Sequence, residues 1–336
     1  MRILQRLKNI ASVKLMPSGY HSKAADGLTV RSCLRMLFDQ FTAANVMEPE
    51  VSAEYITAHV LGEKTLVTIP RNQQLTEQQW QLAVELSKQR LNKVPIQYIV
   101  GEWEFRDITL KLKPPVFIPR PETEELVSHM LKDPVVTKGS QFLEVGCGSG
   151  AVSISLLKEL PHAEGVAIDQ SAEACQLTTQ NARQNQVCDR LRVVQMNLTH
   201  ETIDNLRKSH CPRIYDFVVS NPPYVPTEDM NKLQPEIFNY EDHRALHGGT
   251  DGTDIVKLIL QMSSLVLKPV GSLWLEVDDR HPPWIQSYVD AHQATLTHIE
   301  FRHAYEDFMG RLRFCHLQHR HQRACSMHTY CQHSQD

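Results

Sequence analysis

Asn221 is followed by two prolines and a tyrosine in VVSNPPYVP, Val218–Pro226, where the β-rich run YDFVV ends. An asparagine side chain offers one carbonyl acceptor, and Pro222 offers a backbone carbonyl with no N–H of its own. Pro222 and Pro223 lock φ, so both acceptors are rigid before anything binds. Tyr224 adds a flat face on which a planar group can stack. Such a set suits a nitrogen whose lone pair is delocalised into a carbonyl or a ring. That nitrogen is a poor nucleophile. It reacts when its N–H groups are pinned to acceptors and its lone-pair face is turned toward an electrophile. Each neutral hydrogen bond contributes only about 1 kcal/mol net, whereas alignment of two reactants contributes on the order of 7–11 kcal/mol. The motif holds no histidine or lysine to act as base, so the nitrogen's proton is expected to leave after the transfer. Two adjacent prolines can also simply be a stiff turn.

A second stretch, FLEVGCGSGAVSISLL, runs from a strand through Gly146, Gly148 and Gly150 into a helix. The spacing is G-x-G-x-G, not the G-x-G-x-x-G of dinucleotide sites. Glycines let the backbone turn tightly and let a ligand lie against it. The helix that follows has free N–H groups at its start, and no P-loop lysine is present to hold a triphosphate. The next strand, EGVAI, leads into Asp169, 19 residues beyond Gly150. An acid at that strand end is placed to accept hydrogen bonds from both ribose hydroxyls. Gly146, Cys147, Gly148, Ser149, Gly150 and Asp169 are therefore expected to bind an adenosine-type ligand, with Asn221 beside it. With Glu144 opening the glycine motif, these features resemble class I S-adenosylmethionine methyltransferases, and the resemblance implies S-adenosylmethionine as cofactor. Asn197, in QMNLT after the third strand, is either an adenine contact or an ordinary turn residue.

These residues need a scaffold to bring them together. After residue 120, QFLEV, EGVAI, RVVQM, YDFVV and SLWLEV alternate with helix-length segments, and THIEF and LRFCHL are candidate closing strands. That alternation predicts an α/β, Rossmann-like domain over 121–317, with a largely parallel sheet between helices. Ligands sit at the carboxyl ends of such strands, which is where YDFVV delivers Asn221. Residues 26–95 read as a small helical bundle. One stripe carries Leu34, Leu37, Phe38 and Phe41. A later helix opens on Thr76 and Gln79, a capping box with Leu75 placed as hydrophobic staple, and carries Trp80, Val84 and Leu91 before Pro95. Residues 96–120 read as a β-hairpin connector.

The composition of the 336-residue chain excludes several classes of protein. Apolar residues make up 41%, enough for a core. Mean hydropathy is −0.35, and no apolar run approaches the roughly 18 residues of a membrane span. A net charge of −4 argues against broad nucleic-acid binding. Eight scattered cysteines without a C-x-x-C pair read as reduced thiols rather than a disulfide frame or zinc site. The first residues are basic and free of acid before Asp26, with Leu4, Leu7 and Ile10 at helical spacing. Residues 1–25 therefore read as a mitochondrial transit peptide and the matrix as the destination. Residues 318–336 read as a disordered tail, whose histidines and cysteines match no zinc spacing and bind no metal.

The N-P-P-Y run is shared by methyltransferases that act on adenine N6 and by those that act on glutamine N5. PIQYIVGEWEFRDITLKLKPPVFIPRPETEELV, residues 95–127, decides between them because it resembles the signature of the HemK/PrmC family of release factor glutamine methyltransferases. SAEYITAHVLG, PEIFNYEDHRALHGGTDGTD and FMGRLRF extend the resemblance over Leu28–Leu317. It implies that the helical domain docks a class 1 release factor, in a mitochondrial member a mitochondrial one. The glutamine of the factor's Gly-Gly-Gln loop is then methylated. Carried over, Asn221, Pro222, Pro223 and Tyr224 grip the glutamine amide, Asn221 lies near the methyl donor, and Arg120 and Glu122 shape the floor of the site. Leu198 stands where bacterial relatives can place an aromatic over the adenine. Asp242 replaces a usual proline, a change expected to affect a loop rather than chemistry. The rival readings are a ribosomal protein as substrate, an adenine-N6 DNA methyltransferase, and a silent binding partner. A DNA enzyme must extract its base and needs a basic face, which this acidic chain lacks.

Overall fold

Phe217, Val218 and Val219 are consecutive and all fully buried. Burial on both faces is the mark of a central strand in a parallel sheet covered by helices. The computed structural model of the protein describes residues 27–320, apart from His210, Cys211, Arg213 and Thr297. The proposed transit peptide and residues 321–336, with His321, His328, His333, Cys325 and Cys331, lie outside the described residues.

The helical region contains α1 (Val30–Ala43), α2 (Pro49–Val60), α3 (Glu77–Leu91) and the short α4 (Ile96–Val100). Capping boxes open α1 through Thr29 and Ser32 and α3 through Thr76 and Gln79. Leu37, Phe41 and Ile56 are fully buried at the centre of its core, with Leu34, Phe38 and Trp80 packed around them. Trp80 and Leu91 pack against this core from the partly exposed flank of α3, and the buried face of that helix is Ala83, Leu86, Ser87 and Arg90. Arg90 is the charged member of that face. Its guanidinium donates to Ser52 Oγ (3.0 Å) and to the Met47 (3.1 Å) and Val94 (3.2 Å) carbonyls, and it meets Glu236 at 3.2 Å. Satisfying every side of a buried guanidinium fixes the helical region against the larger domain.

The connector expected over 96–120 is a correction. Pro95 does not end the helical region but precedes α4, which stops at Gly101 in a left-handed conformation, φ 71°. Only β1 (Glu102–Phe105) and β2 (Ile108–Lys111) form the hairpin. The apolar residues of QYIV serve a helical turn: Ile96 and Ile99, three apart, are the buried pair.

The larger domain follows in the order α5 (Pro121–Met130), β3 (Gln141–Val145), α6 (Ala151–Glu159), β4 (Glu164–Asp169), α7 (Ala172–Gln184), β5 (Leu191–Gln195), α8 (His200–Lys208) and β6 (Tyr215–Ser220). It continues with α9 (Pro235–Tyr240), α10 (Asp254–Val266), β7 (Leu267–Glu276), α11 (His281–Ala291), β8 (Ile299–Glu306) and β9 (Leu312–His319). The sheet order is β5-β4-β3-β6-β7-β9-β8, with β5 through β7 parallel and β8 and β9 antiparallel. The order reverses at β3, between β4 and β6, and this switch point puts a crevice at the carboxyl ends of those strands. Gln318 and His319, expected to open a disordered tail, belong instead to β9, where Gln318 pairs with Ser272 and His319 is fully buried.

Candidate active site

Gly146 and Cys147 follow β3, and both donate their N–H groups to the Ile168 carbonyl, at 2.8 and 3.1 Å. The loop is thereby folded over the end of β4. Gly146, Gly148 and Gly150 have φ of 76°, 54° and 83°, a region that disfavours any side chain. A Cβ on Gly150 would lie 2.8 Å from Ile154 Cδ1, so that glycine serves the close seat of α6. A Cβ on Gly148 would meet nothing within 4 Å, because that glycine borders open space. Cys147 and Ser149 between them are buried.

Two acids at strand ends complete this half. Glu144 reaches from β3 to the start of α6, where its Oε2 accepts from the Ser153 N–H (3.1 Å) and hydroxyl. It caps a helix from a neighbouring strand, and burial pushes its carboxyl up to about 8. Asp169 accepts the Gly148 N–H at Oδ2 (3.0 Å) and the Ser171 N–H at Oδ1 (2.9 Å). Burial also raises its pKa, although both N–H groups and Arg244 oppose that. Each oxygen keeps further accepting capacity, which suits the two adjacent hydroxyls of a ribose. The donor set therefore fits an adenosine-type ligand.

The other half is built on Asn221. Ser220, at the end of β6, donates its hydroxyl to the Val145 carbonyl at 2.7 Å and so ties β6 to β3. A Cβ on Gly146 would lie 3.9 Å from the Asn221 carbonyl oxygen, so the two motifs meet. Asn221 Nδ2 donates to Thr123 Oγ1 (3.2 Å), and Thr123 Oγ1 donates to Glu276 Oε2 (2.8 Å). Among the described residues, neither Asn221 Oδ1 nor the Pro222 carbonyl has a hydrogen-bond partner. Tyr224 accepts from Arg313 Nη2 at 2.7 Å, with that guanidinium 5.2 Å from its ring centroid. Burial pushes the phenol up to about 12, so it stays neutral.

HGGTDGTD, residues 247–254, backs this loop. Val225 donates its N–H to Leu246 O (2.8 Å) and accepts from the Gly248 N–H (2.9 Å). A Cβ on Gly248 would lie 2.6 Å from Pro223 O, and one on Gly252 would lie 2.2 Å from Tyr224 O. Only glycine permits this approach.

One cleft of about 290 Å³ is lined by Gly146, Cys147, Gly148, Ser149, Asp169 and Asn221–Tyr224 together, whereas Gly150 is not among its lining residues and packs against Ile154 and Thr178. Asn197 and Leu198 line it too, with Leu198 largely buried. Arg120 lines it as well and donates to Glu241 Oε1 (2.6 Å), while Glu122 pairs with Arg311 at 3.4 Å. Asp242 is not merely a loop position. It holds Arg244 at 2.6 Å, and both face the cleft near Asp169. The sequence reading missed Thr123, Glu276, Arg244 and Arg313. Glu276 carried a usable signal, since SLWLEV has an acid next to its last residue just as FLEV does, and EGVAID ends in one. Among the described residues, no group of three His, Cys, Asp or Glu could hold a metal ion.

Residues 121–250 match the family described as Methyltransferase small domain, and residues 32–101 match that described as PrmC N-terminal domain. The second span takes in α4. The chain is 44% identical over 292 residues to the MTRF1L release factor glutamine methyltransferase of Homo sapiens, covering 82% of this chain and 83% of that protein. It is 32% identical over 237 residues to a release factor glutamine methyltransferase of Thermodesulfovibrio yellowstonii, covering 70% and 82%. A relative of the same name from Geobacter sulfurreducens is 31% identical over 250 residues, covering 74% and 84%. The cleft's two halves and these matches lead to one conclusion: the chain belongs to the release factor glutamine methyltransferase family.

Proposed function

We propose that this protein methylates the side-chain nitrogen of the glutamine in the Gly-Gly-Gln loop of a release factor. The observation that carries the reading is the pair of unpartnered carbonyls, Asn221 Oδ1 and Pro222 O, set beside the glycine loop in one cleft. An amide NH2 has two hydrogens, and two acceptors hold it flat. Tyr224, kept in place by Arg313, bounds the site beside them. Gly146 to Gly150 and Asp169 hold S-adenosylmethionine, the methyl donor. Bound there, it would supply an electrophilic methyl group to the amide nitrogen that Asn221 Oδ1 and Pro222 O hold, its sulfur leaving as a thioether, and the nitrogen's extra proton would pass to water. The protein's own part is to align the amide and exclude alternatives.

The helical domain docks the release factor, and Arg90 with Glu236 keeps it in a fixed position relative to the cleft. The basic, acid-free residues 1–25 support import into the mitochondrial matrix, so the substrates would be mitochondrial release factors. A reporter fused to that segment is expected to enter mitochondria, and a cytosolic signal overturns the address. No helix among the described residues is long and apolar enough to cross a membrane, and the net negative charge speaks against direct nucleic-acid binding.

The full chain, incubated with S-adenosylmethionine and a release factor bearing the Gly-Gly-Gln loop, is expected to place one methyl on that glutamine by mass spectrometry. Label only in DNA, or only in a ribosomal protein, overturns the reading.

A further inference from the structure

Asn221 can serve as an acceptor only if its side chain is the right way round. An asparagine amide rotated by half a turn would present Nδ2 to the substrate, donor against donor. Nothing within N-P-P-Y sets that orientation. Behind it, however, Thr123 lies between Asn221 and Glu276, and both Thr123 and Glu276 are buried, at 3% and 0% exposure.

A carboxylate only accepts hydrogen bonds. Thr123 therefore spends its single hydroxyl hydrogen on Glu276 Oε2, at 2.8 Å. What Thr123 then shows Asn221 is a lone pair, which only Nδ2 can meet, at 3.2 Å. Oδ1 is turned the other way. Resting on the glutamine-methylation reading, we propose that Glu276 and Thr123 form a polarity relay that fixes the Asn221 amide with its carbonyl toward the substrate nitrogen. Both are positioning residues. Leaving a buried charge beneath a site is costly, and a packing role alone would be met as well by an apolar side chain at 276. Glu276 Oε1 has no hydrogen-bond partner among the described residues, so the carboxylate is held without full compensation.

The relay depends on protonation. Burial pushes the Glu276 carboxyl up to about 7, the Thr123 hydroxyl and Arg313 on β9 oppose that, Glu122 on α5 adds to it, and Arg120 just before α5 opposes it. Once protonated, Glu276 can donate to Thr123, and Thr123 can then donate to Asn221 Oδ1, inverting the amide. Turnover should therefore fall on the acid side of about pH 7 and level off above it.

The test compares kcat, KM for a Gly-Gly-Gln release factor and calorimetric S-adenosylmethionine affinity in full-length variants. Thr123→Val is expected to lower kcat on the order of 10- to 100-fold while leaving cofactor affinity within about threefold. Thr123→Ser, which keeps the hydroxyl, should recover most of that loss. Glu276→Gln can present either polarity and should flatten the acid limb of the pH profile. Wild-type turnover in Thr123→Val, or equal damage from Ser and Val, overturns the relay, and retained cofactor affinity excludes misfolding as the cause. A readout that needs no methyl acceptor separates the relay from the substrate assignment. The side-chain 15N–1H signals of Asn221, identified by their loss in Asn221→Asp, should move with pH in the wild type and stay still in Glu276→Gln. Failure of the wild type to methylate the release factor while those signals still move overturns the substrate and keeps the relay. Signals indifferent to pH overturn the relay itself.

Discussion

In the cofactor half of the cleft, backbone does most of the positioning. Two N–H groups fold the glycine loop over Ile168 O, and two more seat Asp169. In the acceptor half, the two carbonyls are aimed by side chains and by borrowed segments: Thr123 and Glu276 behind Asn221, Arg313 on Tyr224, and the 247–254 loop against Pro223 and Tyr224. A site of the first kind needs glycine and one acid. A site of the second kind needs partners from four separate parts of the chain. The halves touch where Gly146 meets Asn221, yet they should fail independently.

The largest effects should show that independence. Asn221→Ala removes the side-chain acceptor and is expected to lower turnover at least about 100-fold, a loss typical of a deleted alignment or electrostatic group. Calorimetric affinity for S-adenosylmethionine should change by less than about threefold. Asp169→Ala should do the reverse. Loss of two charge-assisted ribose contacts is expected to weaken cofactor binding on the order of 10- to 100-fold, with turnover at saturating cofactor much less reduced. If Asn221→Ala weakens the cofactor as much as Asp169→Ala does, the two halves are one unit and the comparison breaks.

The same contrast explains what could be read from the sequence. Gly146, Gly148, Gly150 and Asp169 lie within one strand–helix–strand unit, so their spacing already implies their meeting. The sheet was legible for a similar reason: continuous apolar runs such as FVV can be satisfied only between two helical layers. Asn221 and Thr123 are 98 residues apart, Thr123 and Glu276 are 153 apart, and Arg313 and Tyr224 are 89 apart. Spacing says nothing at such distances; only the strand order, which puts β6 between β3 and β7, brings them together. The misread segments have local causes. Ile96–Val100 is rich in β-formers, but five residues fit one helical turn as well as a strand, and burial of Ile96 and Ile99 decides for the helix. Gln318 and His319 look like the start of a polar tail, yet β9 carries them between β7 and β8.

A smaller and sharper contrast comes from two glycines. Gly148 and Gly252 both have positive φ, 54° and 79°, so alanine at either costs on the order of 1 kcal/mol or more in backbone strain. They differ in what the new methyl meets. At Gly148 it points into open space within the cleft, with nothing inside 4 Å. At Gly252 it would lie 2.2 Å from Tyr224 O and 2.9 Å from His281 Cε1, so backbone must move. Gly148→Ala is therefore expected to cost only that backbone strain in stability and to weaken cofactor binding by occupying ligand space. Gly252→Ala should lower the melting temperature by several degrees and reduce turnover about tenfold, because it pushes the Tyr224 backbone off its support. Its cofactor affinity should stay within about twofold. The pair separates the two halves with the same single carbon. Equal loss of cofactor affinity in both would mean that the 247–254 loop also holds the glycine motif in place, and that the acceptor half is not supported separately.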